Sequence, residues 1–273
     1  MSNGKVNEVK NKTDRHANKL AQHPVMVALA KVGFVVSGLL HIMIGWIAFK
    51  VATGSGGGEA SNSGAMAQIA QNPGGQILLW VMTIGLAALG LWRLLTIVVA
   101  NETKDKLKGA ALGVVFLGLA FSASKFAMGG SSSDSQKTSS VTSSVLEMPG
   151  GKIIIALAGL VVIGVGIYGI YKGATRKFKE DLEAGASGGN VGSAIVIAGT
   201  VGYIARGIAF LVLGGLIIWA GFTSDPGKAG GMDSALRTIG SQPFGAILLI
   251  LTALGFVLYG IYSIARAKYT NEV

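Results

Sequence analysis

The chain has no cysteine among its 273 residues. Disulfides, thiolate metal sites and cysteine nucleophiles are therefore excluded, and redox chemistry says nothing about compartment. Charge is the second scarcity. Asp, Glu, Lys and Arg make up 13% of the residues, about half the share of an ordinary soluble domain. Histidine is scarce too: His16, His23 and His41 are scattered, and without cysteine they cannot build a usual zinc site, so no metal and no cofactor is expected. The glycine-rich stretch "GSGGGEASNSG" (54–64) lacks a following GK[ST], which removes a phosphate loop and leaves a flexible outer loop. The long apolar runs contain no Asp or Glu, which argues against a carboxylate proton relay.

What is present is apolar sequence. Hydrophobic residues reach 51%, mean hydropathy is +0.57, and there are 42 glycines, a residue more frequent in membrane helices than in soluble ones. A span needs roughly 20 mostly apolar residues to cross ~30 Å of hydrocarbon. Six stretches qualify: Val32–Ala52, Gln76–Val99, Leu107–Met128, Ile153–Tyr171, Ile195–Phe222 and Ala246–Ala265. The third is weakest, because Ser122, Ser124 and Lys125 lie near its end. Trp46, Trp80, Trp92 and Trp219 fall near run ends, as an aromatic belt does.

The Lys and Arg asymmetry orients the spans. One side carries sixteen bases: Lys5, Lys10, Lys12, Arg15, Lys19 and Lys31, then Arg93, Lys104, Lys106 and Lys108, then Lys172, Arg176, Lys177 and Lys179, and finally Arg266 and Lys268. The other carries five: Lys125, Lys137, Lys152, Lys228 and Arg237. Both termini are expected in the cytoplasm. More than twenty polar residues precede the first run, and that run is too long for an h-region, so no signal peptide is expected.

The sequence repeats itself. "NPGGQILL" (72–79) is echoed by "MPGGKIII" (148–155) and "QPFGAILL" (242–249). The shared helix-start element is Pro73 with Gly75, Pro149 with Gly151, and Pro243 with Gly245. Proline in a first helical turn loses nothing, since its missing N–H has no partner there. Upstream, "VGFVVSGLLHIMIG" (32–45) matches "VGYIARGIAFLVLG" (201–214), and downstream "GLAALGLW" (85–92) matches "GFVLYGIY" (255–262). The middle copy keeps "GAALGVVFLGLAF" (109–121), followed by a serine tract, "GGSSSDSQKTSSVTSSV" (129–145), that resembles a linker. Outer loops one and five hold short amphipathic turns near Ala65–Gln71 and Ser234–Ser241, expected to lie flat at the outer surface as a lid or docking face.

The fold expected is therefore all-α and polytopic: six transmembrane helices as three parallel two-helix hairpins in a pseudo-threefold arrangement. Its parts are a disordered basic tail (1–24), repeat 1 (25–100), a degenerate repeat 2 (101–175), repeat 3 (176–269) and a C-terminal tail (270–273). Three tandem helix pairs, the "GYIARG" entry and the "QPFG" start resemble the domain of unknown function 1206 family over about Ala28 to Tyr269. The resemblance implies a bacterial, inner-membrane, multi-pass protein. It carries no activity and no functional residues. In the first repeat Phe34 and Ser37 replace the tyrosine and arginine of "GYIARG".

Gly33, Gly38, Gly85 and Gly90 of the first repeat, with Gly202, Gly207, Gly255 and Gly260 of the third, are expected to pack helices closely, since association in lipid relies on small residues. The candidate polar membrane site is His41, Arg206 and Arg93. His41 lies eleven residues before Ala52, ~16 Å along a helix and so near the membrane centre, where ionisable residues are rare and mark function by default. Phe210 holds the matching position, so no histidine ring exists. Arg206 and Arg93 sit near the cytoplasmic boundary, where arginine snorkels or meets an anionic lipid or ligand. No nucleophile–base pair or other catalytic constellation is visible. The function expected is a non-enzymatic scaffold or subunit that binds membrane proteins or lipids, with no nucleic acid. The alternative is a small-solute or ion transporter with a route near the repeat axis.

Overall fold

The computed structural model describes residues 24–99, 103–182 and 189–269. The basic tail and the last four residues lie outside these. Among the described residues there are nine α-helices and no strands. They are α1 (Pro24–Ala52), α2 (Asn62–Ala70), α3 (Gly75–Val99), α4 (Thr103–Ala127), α5 (Asp134–Leu146), α6 (Gly151–Ala174), α7 (Gly189–Thr223), α8 (Gly231–Gly240) and α9 (Gly245–Tyr269). Single 3₁₀ turns occupy Lys177–Asp181 and Pro226–Lys228.

Five helical stretches are long and apolar enough to cross a membrane: Lys31–Ala52, Gly109–Ala127, Gly151–Ala174, Gly192–Thr223 and Gly245–Tyr269. The expected span Gln76–Val99 falls on α3, whose apolar stretch, Gly75–Leu91, is shorter. These features fit a multi-pass membrane protein.

The helix-start motif is a turn placed before each helix. Gly75, Gly151 and Gly245 are the first helical residues of α3, α6 and α9, so each proline stands two residues ahead of its helix instead of in the first turn. The N–H of Gly75 donates to the Asn72 carbonyl at 2.9 Å, that of Gly151 to Met148 at 2.9 Å, and that of Gly245 to Gln242 at 2.7 Å. The residue after each proline has positive φ: Gly74 at 77°, Gly150 at 76° and Phe244 at 59°. Proline second and a left-handed residue third is a type II turn. The second glycine of each motif has a separate reason. A Cβ on Gly75, Gly151 or Gly245 would run into the carbonyl oxygen of Ile69, Val145 or Gly240.

The long helices pack most extensively across the repeat boundaries: α9 on α1, α3 on α4, and α6 on α7. Glycines set these crossings. A Cβ on Gly38 or Gly260 would lie within 2.7 Å of the other's carbonyl oxygen, and Gly207 and Gly166 are related in the same way within 2.8 Å. A Cβ on Gly113 would lie 3.2 Å from the Gly90 carbonyl oxygen. Gly90, Gly166 and Gly260 each stand seventeen residues past their proline. Seven residues further along, a Cβ on Gly45 would meet the Ala253 carbonyl at 2.6 Å and one on Gly214 the Gly159 carbonyl at 2.7 Å. Toward the ends carrying the chain termini, Arg266 lies 4.3 Å over the Phe34 ring and Lys172 lies 5.4 Å over Tyr203, which is the same register position in two pairs. In the third pair those positions are Thr96 and Gly109, so neither the cation nor the ring recurs.

A second glycine set lies between helices of one repeat. A Cβ on Gly33 would meet Leu89 at 2.8 Å, and one on Gly202 would meet Tyr259 at 2.6 Å. A Cβ on Gly85 would lie 3.1 Å from the Val32 side chain, and one on Gly255 would run into Ala205. In register with these, the middle repeat has Lys108 and Val161. Among the described residues α4 and α6 form no packed pair, and Val161 is 66% exposed. Without the small residues, the two backbones have no close approach.

At the end opposite the termini, α2, α5 and α8 form a cap. The serine tract is no linker here: it forms α5. Ser133 is its N-cap, accepting from the Gln136 N–H at 3.1 Å, the "SDSQ" pattern of a capping box. The amphipathic turns are α2 and α8, whose buried faces (Ala65, Met66 and Ile69; Ala235, Leu236 and Ile239) point inward. Met66, Leu236 and Ile239 join Ile47, Leu79, Met82, Leu249 and Phe256 in one apolar core beneath the cap.

Candidate functional site

The His41 ring is held by its own helix and by α9. Its Nδ1 lies 2.7 Å from the Ser37 carbonyl oxygen. A carbonyl only accepts, so Nδ1 carries the hydrogen, and Nε2 is the acceptor whenever the ring is neutral. The ring stacks on Phe256 at 5.8 Å and meets Tyr259 at 4.6 Å. From α7, the Arg206 Nη1 donates to the Tyr259 hydroxyl at 3.2 Å. Its guanidinium lies 4.9 Å from the Tyr259 ring and 5.0 Å from Phe210, contacts worth about 0.5–2 kcal/mol each.

His41 and Arg206 thus share Tyr259, a residue the sequence reading did not single out. The signal was its register: Tyr259 stands where the first repeat has Leu89, next to the crossing glycine. Arg93 is partly buried on α3 with an interaction of its own. Trp46, Trp80 and Trp219 are exposed, while the Trp92 side chain lies outside the described ones.

Tyr259 also leads toward the terminal end. It meets Tyr203 edge-on at 5.2 Å, and Tyr203 and Tyr262 surround Phe178 at 5.5 and 5.1 Å. The Tyr262 hydroxyl donates to the Phe178 carbonyl at 3.2 Å. The 3₁₀ turn at Lys177–Asp181 is thereby pinned to α7 and α9. The Ser263 hydroxyl donates to the Phe34 carbonyl at 2.9 Å, tying α9 to α1.

The cap holds a second polar group, also unforeseen. The Ala60 N–H donates to Asp233 Oδ1 at 2.8 Å. Asp233 in turn accepts from Arg237 Nε at 2.7 Å, and Arg237 reaches the Gly58 carbonyl at 3.3 Å. Ser63 donates through N–H and Oγ to Asp134, at 3.0 and 2.6 Å. Glu59 accepts from the Ser135 N–H and hydroxyl at 2.8 and 3.1 Å, and from the Ser61 hydroxyl at 2.9 Å. Burial raises the Glu59 pKa, but hydrogen bonds from Ser133, Ser135 and Ser61 outweigh it and hold the carboxyl below its ordinary value. The three acids join the first repeat's loop to the second and the third.

The family model of Domain of Unknown Function (DUF1206) matches three tandem segments, 32–96, 107–176 and 201–270. The chain belongs to this family. The DUF1206 segments each contain one Pro-x-Gly turn and one crossing glycine on the helix after it. A relative in Bacillus subtilis (strain 168), "Uncharacterized protein YxxB", is 29% identical over 269 residues, covering 94% of this chain and 97% of that protein. No solved structure matches.

Proposed function

We propose that this DUF1206 protein is a non-enzymatic membrane scaffold that binds other membrane proteins or lipids. It is built as six spans in three two-helix units around a pseudo-threefold axis, with both termini in the cytoplasm of a bacterium. For the sixth span, α3 has 25 residues, ~37 Å of helix against ~30 Å of hydrocarbon. The recurrence of the glycine crossings at one register position supports the threefold relation. The excess of bases on the terminal side supports the orientation.

One observation carries the scaffold reading. Three polar groups within the long helices join helix to helix: the His41 ring meets Tyr259 of α9, Arg206 of α7 donates to Tyr259, and Ser263 of α9 donates to Phe34 of α1. Beneath the cap the centre is lined by Ile47, Leu79, Met82 and Phe256, all almost fully buried. A packed, apolar centre suits a rigid platform. The competing transporter reading draws on the His41–Tyr259–Arg206 group, because ionisable residues at such depth default to function. Flux of small ions and solutes into liposomes holding the purified protein separates the two. The scaffold reading expects no flux above empty liposomes, together with co-purifying membrane proteins or lipids. Flux that His41→Ala abolishes would establish transport.

A further inference from the structure

Each cap helix is slung between two turns. Left-handed residues stand on both sides of it: Gly54 and Gly56 before α2 and Gly74 after it, Gly129 before α5 and Gly150 after it, Ser224 before α8 and Phe244 after it. Gly231, the first residue of α8, is left-handed too. Among the described residues Arg176 is the one left-handed residue outside the cap. Hinges are a few residues of this kind, at loops and element ends, that absorb large changes of backbone angle. The helices between them have nine, thirteen and ten residues, too few for stability alone in water.

The ties among these helices share one chemistry. Among the described residues, the side-chain hydrogen bonds that join one repeat to another in the cap end on Glu59, Asp134 or Asp233. The exception is Arg237 to the Gly58 carbonyl, and Arg237 is itself held by Asp233. A hydrogen bond to an ionised carboxylate is roughly twice as strong as one between neutral groups. Protonation therefore weakens these ties together.

The other charges around the cap do not replace them. Lys137 lies 3.9 Å from Asp134 and donates to Ser122 of its own repeat. Asp225 accepts from Gly227 within its own turn. Glu147 is exposed at the end of α5, and Lys228 belongs to the 3₁₀ turn packed on α5. From the long helices, Lys50 and Lys125 lie over Trp46 and Phe121 of their own helices, and Lys152 is exposed.

We infer that α2, α5 and α8 form an acid-released lid: protonation of Glu59, Asp134 and Asp233 lets the three helices swing apart on their flanking turns and uncovers the cap end of the apolar core. The long helices stay packed, because their crossings rest on glycine backbones that carry no titratable group. The Glu59 carboxyl agrees in direction. Serine hydrogen bonds hold it below its ordinary value against the opposing effect of burial, so its stabilisation is complete above 4.5 and lost as pH falls through the folded value. The lid does not depend on the scaffold reading.

The absence of cysteine makes the test direct. Spin labels on Gln68→Cys of α2 and Ser140→Cys of α5 report the cap distance by double electron–electron resonance, in the full chain in detergent. One narrow distribution is expected at pH 7. At about pH 3.5, below the ordinary carboxylate range, a longer population should dominate and disappear when pH 7 is restored. A pair at Tyr168→Cys of α6 and Ile208→Cys of α7, both on exposed positions, should not change. An unchanged cap distance in acid overturns the lid, and so does equal lengthening of both pairs. A second measurement uses hydrogen exchange at pH 7 on the combined Glu59→Gln, Asp134→Asn and Asp233→Asn variant. Exchange should rise at least about tenfold in α2, α5 and α8 and less than about twofold around Gly38, Gly166, Gly207 and Gly260. Acid opening that this variant does not reproduce would assign the trigger to other groups and overturn the carboxylate ties.

Discussion

The first and third repeats hold their two helices together, and the middle repeat does not. All three start their second helix with the same proline turn and carry a glycine at the same distance beyond it. The difference lies in two positions, where Gly33/Gly85 and Gly202/Gly255 give way to Lys108/Val161. Contact between repeats is preserved while direct packing of the middle repeat's two long helices is lost. The two sets of glycines are therefore separable devices: one assembles the units, the other closes each unit on itself. In lipid that separation is sharp, because helices gain little from burying apolar area and depend on backbone approach.

The largest test of this comparison is Gly207→Leu. Its Cβ would meet the Gly166 carbonyl and the Ile170 backbone, and overpacking costs typically 1–3 kcal/mol even where side chains can shift. Loss of a monodisperse species in size-exclusion chromatography, or a large fall in thermal midpoint in detergent, is expected. Gly164→Leu on the open face of α6, where a Cβ meets nothing within 4 Å, should change stability by less than about 0.5 kcal/mol. If the two variants behaved alike, close approach would not be what assembles the units.

Next in size is the cap. Asp233→Ala leaves the buried Ala60 N–H without its acceptor and should cost about 1–3 kcal/mol, measured as a shift in unfolding midpoint. Asp134→Ala, at a more exposed site, should cost less. A reversed order would mean that the second repeat, not the third, anchors the first repeat's loop.

Acid should act on the same cap. The depressed Glu59 pKa means that its stabilisation is complete above its unfolded value of 4.5 and is lost as pH falls through the lower folded value. Wild type should exceed Glu59→Gln in thermal midpoint at pH 7, and the two should converge as pH falls through the folded pKa, which lies below 4.5. A gap that persists in acid would show that the charge is not responsible.

The smallest effect concerns the turns. Phe244 holds a left-handed conformation where the sister turns have Gly74 and Gly150, a strain of roughly 1–2 kcal/mol for a residue with a Cβ. Phe244→Gly should raise the thermal midpoint slightly in detergent. Phe244 is also 82% exposed, so a gain in detergent that disappears in liposomes would assign the ring to the membrane interface.

Much of this was legible in the chain. Pro73, Pro149 and Pro243 marked the second helices because one Pro-x-Gly element recurs before each, although the prolines stand in a type II turn ahead of the helix and not in its first turn. The long apolar runs marked the long helices because lipid tolerates little else. α5 was not legible as an apolar run. Its serines carry no hydrophobic period, and its only local signal was the Ser133–Gln136 cap. Tyr259 was hidden for another reason: a tyrosine near a helix end is ordinary in a membrane protein, and nothing local to it shows that Arg206 and His41, fifty-three and more residues away, arrive at the same ring.

The sequence by itself determined the number of repeats, the places where helices begin and which positions are small enough for backbones to touch, since these follow from local sterics and from hydrophobicity along the chain. Only the tertiary structure decided which glycine meets which. Gly38 pairs with Gly260 from the far end of the chain, not with a glycine of its own repeat. It also decided that the middle repeat stays open and that three acids stitch the cap. Those outcomes depend on two surfaces arriving together in space, and a linear pattern holds one surface at a time.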